Sequence, residues 1–523
     1  MKGEKASTRR GAFAVTRAEF LRLLGSVAAG ASGTLALPVA RASAASAATL
    51  TVGISSDIKT LDPQMSTLDV FRHTIRSTVF EALVFTNPDT LRADPRLATS
   101  WQTSPDGLSV TFKLRTGVKW HDGTPFAASD VVFSINRVKD KATGSPFEPL
   151  VTQIAAVEAV DPETVRMTLT APTPPLLANL AAVQIVSEHS IATIATKPIG
   201  TGPFRFVSWA PGDHIRLEKF AGYYMQGRPK IDVLEFKVVP DSQTRLAQLQ
   251  DGSLKLVALA EGKDVKQAQS IDGIRIITTK PYILYENFNI NTKRTPFSDK
   301  HVRQALSYAI DRDSYTKTVW FGLARPTDNP VPPEMPAYLP NSSGEYKFDL
   351  GKCTSLLQQA GFSKSNPLKM EILTIVGFAS LKSMALLLQD NLNRLGHNIT
   401  IRELDAPVWY DRFVTKTDFD ITVDNFNTVP EDPAGMFNSP NLAPTSNVNL
   451  WNPPGYEDLV KKAATEIDPA KRILLYQELQ KLLLEEMPQI TVDHLPLFFL
   501  GNKSVSGLVI GPSGIDDYSA VTV

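Results

Sequence analysis

Between Asp349 and Phe426 the sequence alternates without a break between helical and strand periods, and that alternation restricts the sheet it can build. A helix is expected over Asp349 to Ala360 with Gly361 ending it, then a strand over Leu368 to Ile375. A helix over Ser380 to Leu395, ended by Gly396, and a strand over Ile399 to Leu404 follow. A helix over Val408 to Lys416 and a strand over Phe419 to Phe426 complete the run. Strands separated by helices pair through crossover connections, so the fold class is α/β and the sheet should be largely parallel with helices outside. Ligands of such sheets sit at the carboxyl ends of strands. Here those ends carry Ile375-Val376-Gly377-Phe378, Leu404-Asp405-Ala406 and Asn425-Phe426-Asn427-Thr428.

The same two periods recur upstream. Leu108, Val110, Phe112 and Leu114 alternate with Ser109, Thr111, Lys113 and Arg115 after the turn Ser104-Pro105-Asp106-Gly107, which reads as a strand with one buried face. His121-Asp122-Gly123-Thr124-Pro125 turns the chain into a helix that Ser129 should cap, with Asp130 at its positive end and Val131, Ile135 and Val138 on one face. Thr49 to Ser55 reads as a strand, a helix is expected from about Asp69 to Leu83, and Val151 to Thr170 alternates around Asp161-Pro162. Ile199-Gly200-Thr201-Gly202-Pro203-Phe204 has the glycines of a phosphate loop. It has neither the Lys-Ser or Lys-Thr nor the helix that would follow one, so it starts a hairpin instead. A strand through Leu234, Phe236 and Val238, a helix from Ser242 to Gln250 stopped by Gly252, and a strand from Leu254 to Leu259 make a β-α-β unit. Ser298 should cap a helix whose Val302, Ala305, Leu306, Ala309 and Ile310 share one face. A Pro-rich loop from Pro326 to Pro340 is placed on the surface, and helices from Tyr456 and Pro469 with strands between 489 and 500 finish the chain.

A chain of 523 residues exceeds what one core serves, so two or three domains are expected. Lys plus Arg and Asp plus Glu each total 54, and no basic run occurs, which argues against nucleic acid or an anionic membrane as partner. The single cysteine, Cys353, excludes an internal disulfide and reads as a small core residue. At the N-terminus Lys2, Lys5, Arg9, Arg10, Arg17 and Arg22 precede an apolar small-residue stretch from Leu23 to Ala40. Residues 1–48 are therefore read as a signal peptide cleaved near 44–47, by the twin-arginine or the general secretory route. No cysteine near that cleavage region offers a lipid anchor.

Leu97-Ala98, Trp101, Asp106-Gly107, Phe112 to Arg115, Val118 to Gly123 and Asp130 to Ser134 together resemble the signature of family 5 solute-binding proteins, the extracytoplasmic receptors of ABC importers for peptides, nickel and other solutes. Gly200 to Pro203, Asn287 to Asn291 with Pro296-Phe297, and Arg303 to Asp311 extend the resemblance. It implies a two-lobed periplasmic-binding-protein fold with an extra subdomain in the first lobe. The implied division is 49–84, 198–280 and 485–523 for lobe I, 85–197 for the inserted subdomain and 281–484 for lobe II. It also implies a periplasmic monomer that binds a small-molecule solute and docks on a membrane permease, with no cofactor.

Local motifs for catalysis are missing. The seven histidines, at 73, 121, 189, 214, 301, 397 and 494, never take metal-ligand spacing, no Gly-X-Ser-X-Gly occurs, and acidic pairs such as Asp516-Asp517 read as solvated surface. No catalytic or metal-binding residue is assigned, and a secreted hydrolase with a spatially assembled cleft site is the alternative of another class. For binding, the resemblance points to Asp420 to Phe437, where peptide-binding members carry a Trp-X-X-Asp stretch before an acidic-Pro pair and the aspartate holds the peptide's ammonium. Anchoring Glu431-Asp432-Pro433 on that pair puts Phe426 at the tryptophan and Val429 at the aspartate, and a valine cannot pair with an ammonium group. Unless Asp424 or Glu431 substitutes, the ligand is not a standard free-amino peptide. Asn425, Phe426, Asn427 and Thr428 suit a neutral, amide- or hydroxyl-bearing solute, and a di- or oligopeptide is the alternative. Trp409 either walls the cleft or packs the core, and Asn427 either binds or turns the chain. Tyr282, Tyr285 and Asn289 lie near the lobe crossing, and nickel fits poorly because these segments hold no His or Cys.

Overall fold

The computed structural model describes residues 47–279, 282, 284–342, 344–427, 432–445, 447–512 and 514–523, apart from the side chains of Asp69 and Asn427. The stretch read as a signal peptide therefore lies, up to Ser46, outside the described residues.

One sheet has seven strands, in the order Ile274–Thr278, Phe498–Asn502, Leu256–Val257, Thr49–Ile54, Val233–Val238, His214–Lys219 and Phe204–Ala210. Thr49–Ile54 is its centre and runs parallel to both neighbours, so Leu50, Val52 and Ile54 are buried. The β-α-β unit forms as expected. Asp241 caps the Ser242–Asp251 helix by accepting from the Thr244 amide at 2.7 Å, and Gly252 ends it at φ +82°, a conformation that favours glycine. Leu246 and Leu249 of that helix pack with Leu254, Val257 and Phe498.

A second sheet has six strands, in the order Arg325–Pro326, Gln489–Leu495, Leu284–Ile290, Ile421–Asn427, Lys369–Ile375 and Asn398–Leu404. Only the last three are mutually parallel; Leu284–Ile290 is antiparallel to both its neighbours. The expected largely parallel sheet is thus corrected to a mixed one. Crossover logic governs strands that follow one another through helices, and it says nothing of strands delivered from elsewhere in the chain. The helices Leu350–Gln359 and Ala379–Arg394 cover the sheet and bury Cys353, Leu357, Leu381, Met384, Leu388 and Leu392. The helix expected from Val408 starts earlier, at Ala406–Tyr410, and continues as a π-helical turn over Asp411–Thr415.

A four-stranded antiparallel sheet, Ala98–Thr103, Ser109–Leu114, Thr164–Leu169 and Ile154–Asp161, carries the Ala128–Lys139 helix on one face. Val110, Phe112 and Leu114 meet Val131, Ile135 and Val138 there, in the alternation and helical period expected. Two caps move by one or two residues. Ala127, not Ser129, is the N-cap, and the Asp130 carboxylate reaches back to accept from the Ala127 amide at 2.9 Å. Asp299, not Ser298, caps Lys300–Tyr308 by accepting from the His301 amide at 2.8 Å, since a carboxylate is the stronger acceptor at a helix's positive end.

Three further expectations are corrected. The helix from Asp69 gives way after Phe71 to a π-helical turn over Arg72–Arg76 and does not reach Leu83. Beyond it the backbone is needed elsewhere: Gly202 donates to the Val79 carbonyl at 3.0 Å, and a Cβ on Gly200 would lie 1.8 Å from that same oxygen. The Gly-Thr-Gly-Pro segment is thereby explained by close backbone approach. The Pro326 to Pro340 loop is half interior: Pro333, Glu334, Pro336 and Pro340 are exposed, but Val331, Met335 and Ala337 are buried with Phe437, Trp451 and Tyr456, and Asn329 donates to Gln480 at 3.0 Å. Asp516-Asp517 is also interior, with Asp516 on His73 and Asp517 on Arg96, each at 2.8 Å.

The chain passes between the two large sheets after Thr278 and again between Leu495 and Phe498. Gln489–Leu495 pairs in the six-stranded sheet, so the return crossing falls later than a boundary at 485 would place it. The two crossings lie side by side. Thr279 donates its amide to the Leu497 carbonyl at 3.2 Å, and the Leu497 amide donates to Thr279 Oγ1 at 2.9 Å. Among the described residues no helix is long and apolar enough to cross a membrane.

Candidate functional site

The carboxyl ends of the parallel strands point at these crossings, and between the sheets there is a cavity of about 610 Å³. Leu259 to Lys263 and Phe498 line it from the seven-stranded side. Leu284, Glu286, Asn425, Gly377 to Ser380 and Thr318 to Phe321 line it from the six-stranded side, with Leu495 to Leu497 between. Register explains the selection. Leu284 pairs with Asn427 and Glu286 with Asn425, so these positions share one face of the sheet. Tyr285, Asn287 and Asn289 fall on the other face, opposite Phe426, Asp424 and Thr422.

Glu286 is the polar centre of the cavity wall. Its Oε2 accepts from the Tyr315 hydroxyl at 2.5 Å and from Trp320 Nε1 at 3.0 Å, while its amide donates to Asp493 Oδ1 at 3.2 Å. Burial holds both carboxyls above the usual carboxylate range, and the neighbouring Glu286 carboxylate raises Asp493 further. The other acid on the wall, Glu261, is more than half exposed and lies 3.1 Å from the Lys263 ammonium. Apolar groups make up much of the rest: Phe378 and Phe321 are 45% and 39% exposed, opposite Leu259 and Leu497.

Of the residues singled out from sequence, Asn425 is exposed and lines the cavity. Phe426 is half-buried on the opposite face with its ring 5.8 Å from that of Tyr285. Asn427 ends its strand opposite Leu284, and Thr428, Val429 and Glu431 lie outside the described residues. Trp409 packs the core: its Nε1 donates to Thr422 Oγ1 at 2.8 Å and its ring centre is 4.9 Å from that of Phe413, so it is no cleft wall. Asn289 is fully buried behind the sheet, where its Oδ1 accepts from Asn287 and Asn449 at 3.2 and 3.3 Å. Tyr282 is half-buried under the Arg325 guanidinium, 4.8 Å from the ring centre, away from the cavity lining. Asp424, the candidate substitute for the ammonium-binding acid, lies on the face turned from the cavity, and burial pushes it up to about 7. Sequence reasoning missed Glu286, Trp320, Phe321 and Leu259. The strand-end rule did reach Phe378, through Ile375 to Phe378. Among the described residues no group of three or more His, Cys, Asp or Glu side chains could hold a metal.

Two lobes joined by paired crossings, with a solute-sized cavity at the hinge, define a binding receptor. The model of the bacterial extracellular solute-binding proteins, family 5, matches residues 92–447, and the chain belongs to that family, whose members serve as the substrate-binding receptors of ABC importers. It is 29% identical over 500 residues to the glutathione-binding protein GsiB of Escherichia coli K12, covering 92% of this chain and 96% of that one. Among solved structures it resembles the periplasmic binding protein DppA of Helicobacter pylori in complex with the peptide STSA, at 26% identity and a TM-score of 0.77 over 91% of this chain and 98% of that one. It also resembles AgaA of A. tumefaciens R10 in complex with agropinic acid, at the same identity, TM-score and coverage. The structural neighbours are two-lobed periplasmic binding proteins, and the relatives are binding proteins of ABC importers, not enzymes.

Proposed function

We propose that this chain is an exported, periplasmic monomer that performs no chemistry on its solute. It closes on an uncharged small molecule between its lobes and presents the closed form to an ABC permease. The observation that carries the ligand class is the state of the wall's acids. Glu286 is buried on Tyr315 and Trp320 beside Asp493, and Glu261 is paired with Lys263, so neither offers an unengaged anion to an ammonium group. Closure is favoured when the solute touches both lobes at once, as the lining from both sheets allows. The GsiB and DppA resemblances favour a second reading, a small peptide, and that reading requires an acid from outside the described lining.

Thermal unfolding with three ligand sets separates the two. A ligand at a hundred times its Kd stabilises by about 2.7 kcal/mol, which raises Tm by a few degrees. Uncharged solutes and N-acetylated peptide amides are expected to raise Tm. If free peptides do so and their acetylated forms do not, the peptide reading replaces this one.

A further inference from the structure

The cavity wall carries three large apolar side chains that the fold leaves uncovered or only partly covered, Leu259 being the half-buried one. Phe378 and Phe321 are among the exposed large hydrophobics of the described chain, and both face the cavity from the six-stranded side. Leu259 faces it from the seven-stranded side. Two of the three sit in left-handed backbone that bulky residues rarely adopt, with φ of +54° for both Leu259 and Phe321. Such conformations persist where neighbours over-determine them, and here the neighbours do so. Ala260 donates its amide to the Phe498 carbonyl at 2.7 Å, and Ala258 donates to the Gly53 carbonyl at 3.0 Å, so Leu259 is held between two pinned residues. Phe321 lies between Trp320, whose Nε1 is on Glu286, and Gly322, whose amide donates to the Thr316 carbonyl at 2.9 Å. The Trp320 ring also meets the other lobe, since a Cβ on Gly262 would lie 2.9 Å from it.

We infer that Phe321, Phe378 and Leu259 form an apolar clamp, and that the solute carries an aromatic or branched aliphatic arm seated in it. Its uncharged polar end reaches Asn425. The clamp converts otherwise exposed apolar surface into buried contact only when a solute of that shape is present, which makes these three residues specificity determinants. The polar end rests on the neutral-solute reading; the arm does not.

The test uses the chain without residues 1–46 and the uncharged fluorescent probe N-phenyl-1-naphthylamine. Saturable binding of one probe per chain is expected. Phe378→Ala and Phe321→Ala should each weaken it by about tenfold, the scale of a lost aromatic contact. Phe321→Gly removes the ring and relieves the left-handed backbone, so it should weaken the probe while leaving Tm unchanged or higher, which separates lost contact from lost folding. Unsaturable binding, or equal affinity in all variants, overturns the clamp. In parallel, N-acetyl-Gly-Phe-amide and N-acetyl-Gly-Leu-amide should outbind N-acetyl-Gly-Gly-amide in the native chain and lose that advantage in Phe378→Ala. If only free peptides bind and they keep the same Phe-over-Gly ranking, the neutral reading fails and the clamp stands. If uncharged probes bind with no ranking, the clamp fails and the neutral reading stands.

Discussion

Glu81 shows what burial does to a single carboxyl in this chain. Its Oε1 accepts from the Tyr223 and Tyr224 hydroxyls at 2.9 and 2.8 Å, yet desolvation outweighs these bonds and the attraction of Arg96, raising it from 4.5 to about 7. The folded state therefore binds this proton more tightly than the unfolded one. Its contribution to stability is full below about pH 4.5 and is lost as pH rises through 7, by an amount on the order of 3 kcal/mol. Glu81→Gln keeps the acceptor and removes the titration, so urea unfolding from pH 5 to pH 8 should show a flatter stability curve than the native chain. Parallel curves would reject the assignment. At this scale the sequence was partly legible. Asn425, Phe426 and Asn427 read from sequence as one binding set, whereas the strand puts Phe426 on the opposite face from Asn425; which face meets the cavity depends on a strand about 140 residues earlier that supplies the pairing register. Trp409 was undecidable for the same reason: a helical turn beside a strand end can point its indole to either side, and Thr422 Oγ1 draws it inward.

Elements here are set by backbone contacts as much as by period. The Gly200 to Pro203 segment lies so close to the Val79 carbonyl that Gly200→Ala should cost at least about 3 kcal/mol, because both partners are backbone and neither can yield. Gly212, at φ +78° in open space, should cost only about 1 kcal/mol on the same substitution. Chemical denaturation of the pair decides it, and similar losses would refute the close-approach argument. Asp299→Ala should remove about 1 kcal/mol through the lost cap on Lys300–Tyr308. Helix and strand periods located the elements between Asp349 and Phe426 to within a few residues. Caps were harder, since Ser298 and Asp299 both satisfy the pattern and only the geometry at the His301 amide chooses between them. Burial of half the Pro326 to Pro340 loop was not legible at all, because a proline-rich stretch reads as surface until a partner such as Gln480 is known to cover it.

At the scale of the whole molecule, the two lobes are tied by crossings that hydrogen-bond to each other at Thr279 and Leu497. A pair of short crossings held together this way permits rotation about one line while resisting separation. A solute that raises Tm should accordingly lower the radius of gyration in small-angle scattering, and an unchanged radius would mean that the cavity fills without lobe movement. The family signature made the two-lobed plan legible, whereas the mixed second sheet was not, since Leu284–Ile290 and Gln489–Leu495 are brought together from opposite ends of the lobe. Cys353 is fully buried in the second lobe, and burial pushes its thiol up to about 12, so it stays protonated and out of reach of alkylating reagents. Because it is the only cysteine, a Ser383→Cys change on the cavity wall would give the chain one addressable thiol. A polarity-sensitive dye attached there would turn occupancy of the cleft into an optical signal, making the protein a reagentless sensor for its own solute.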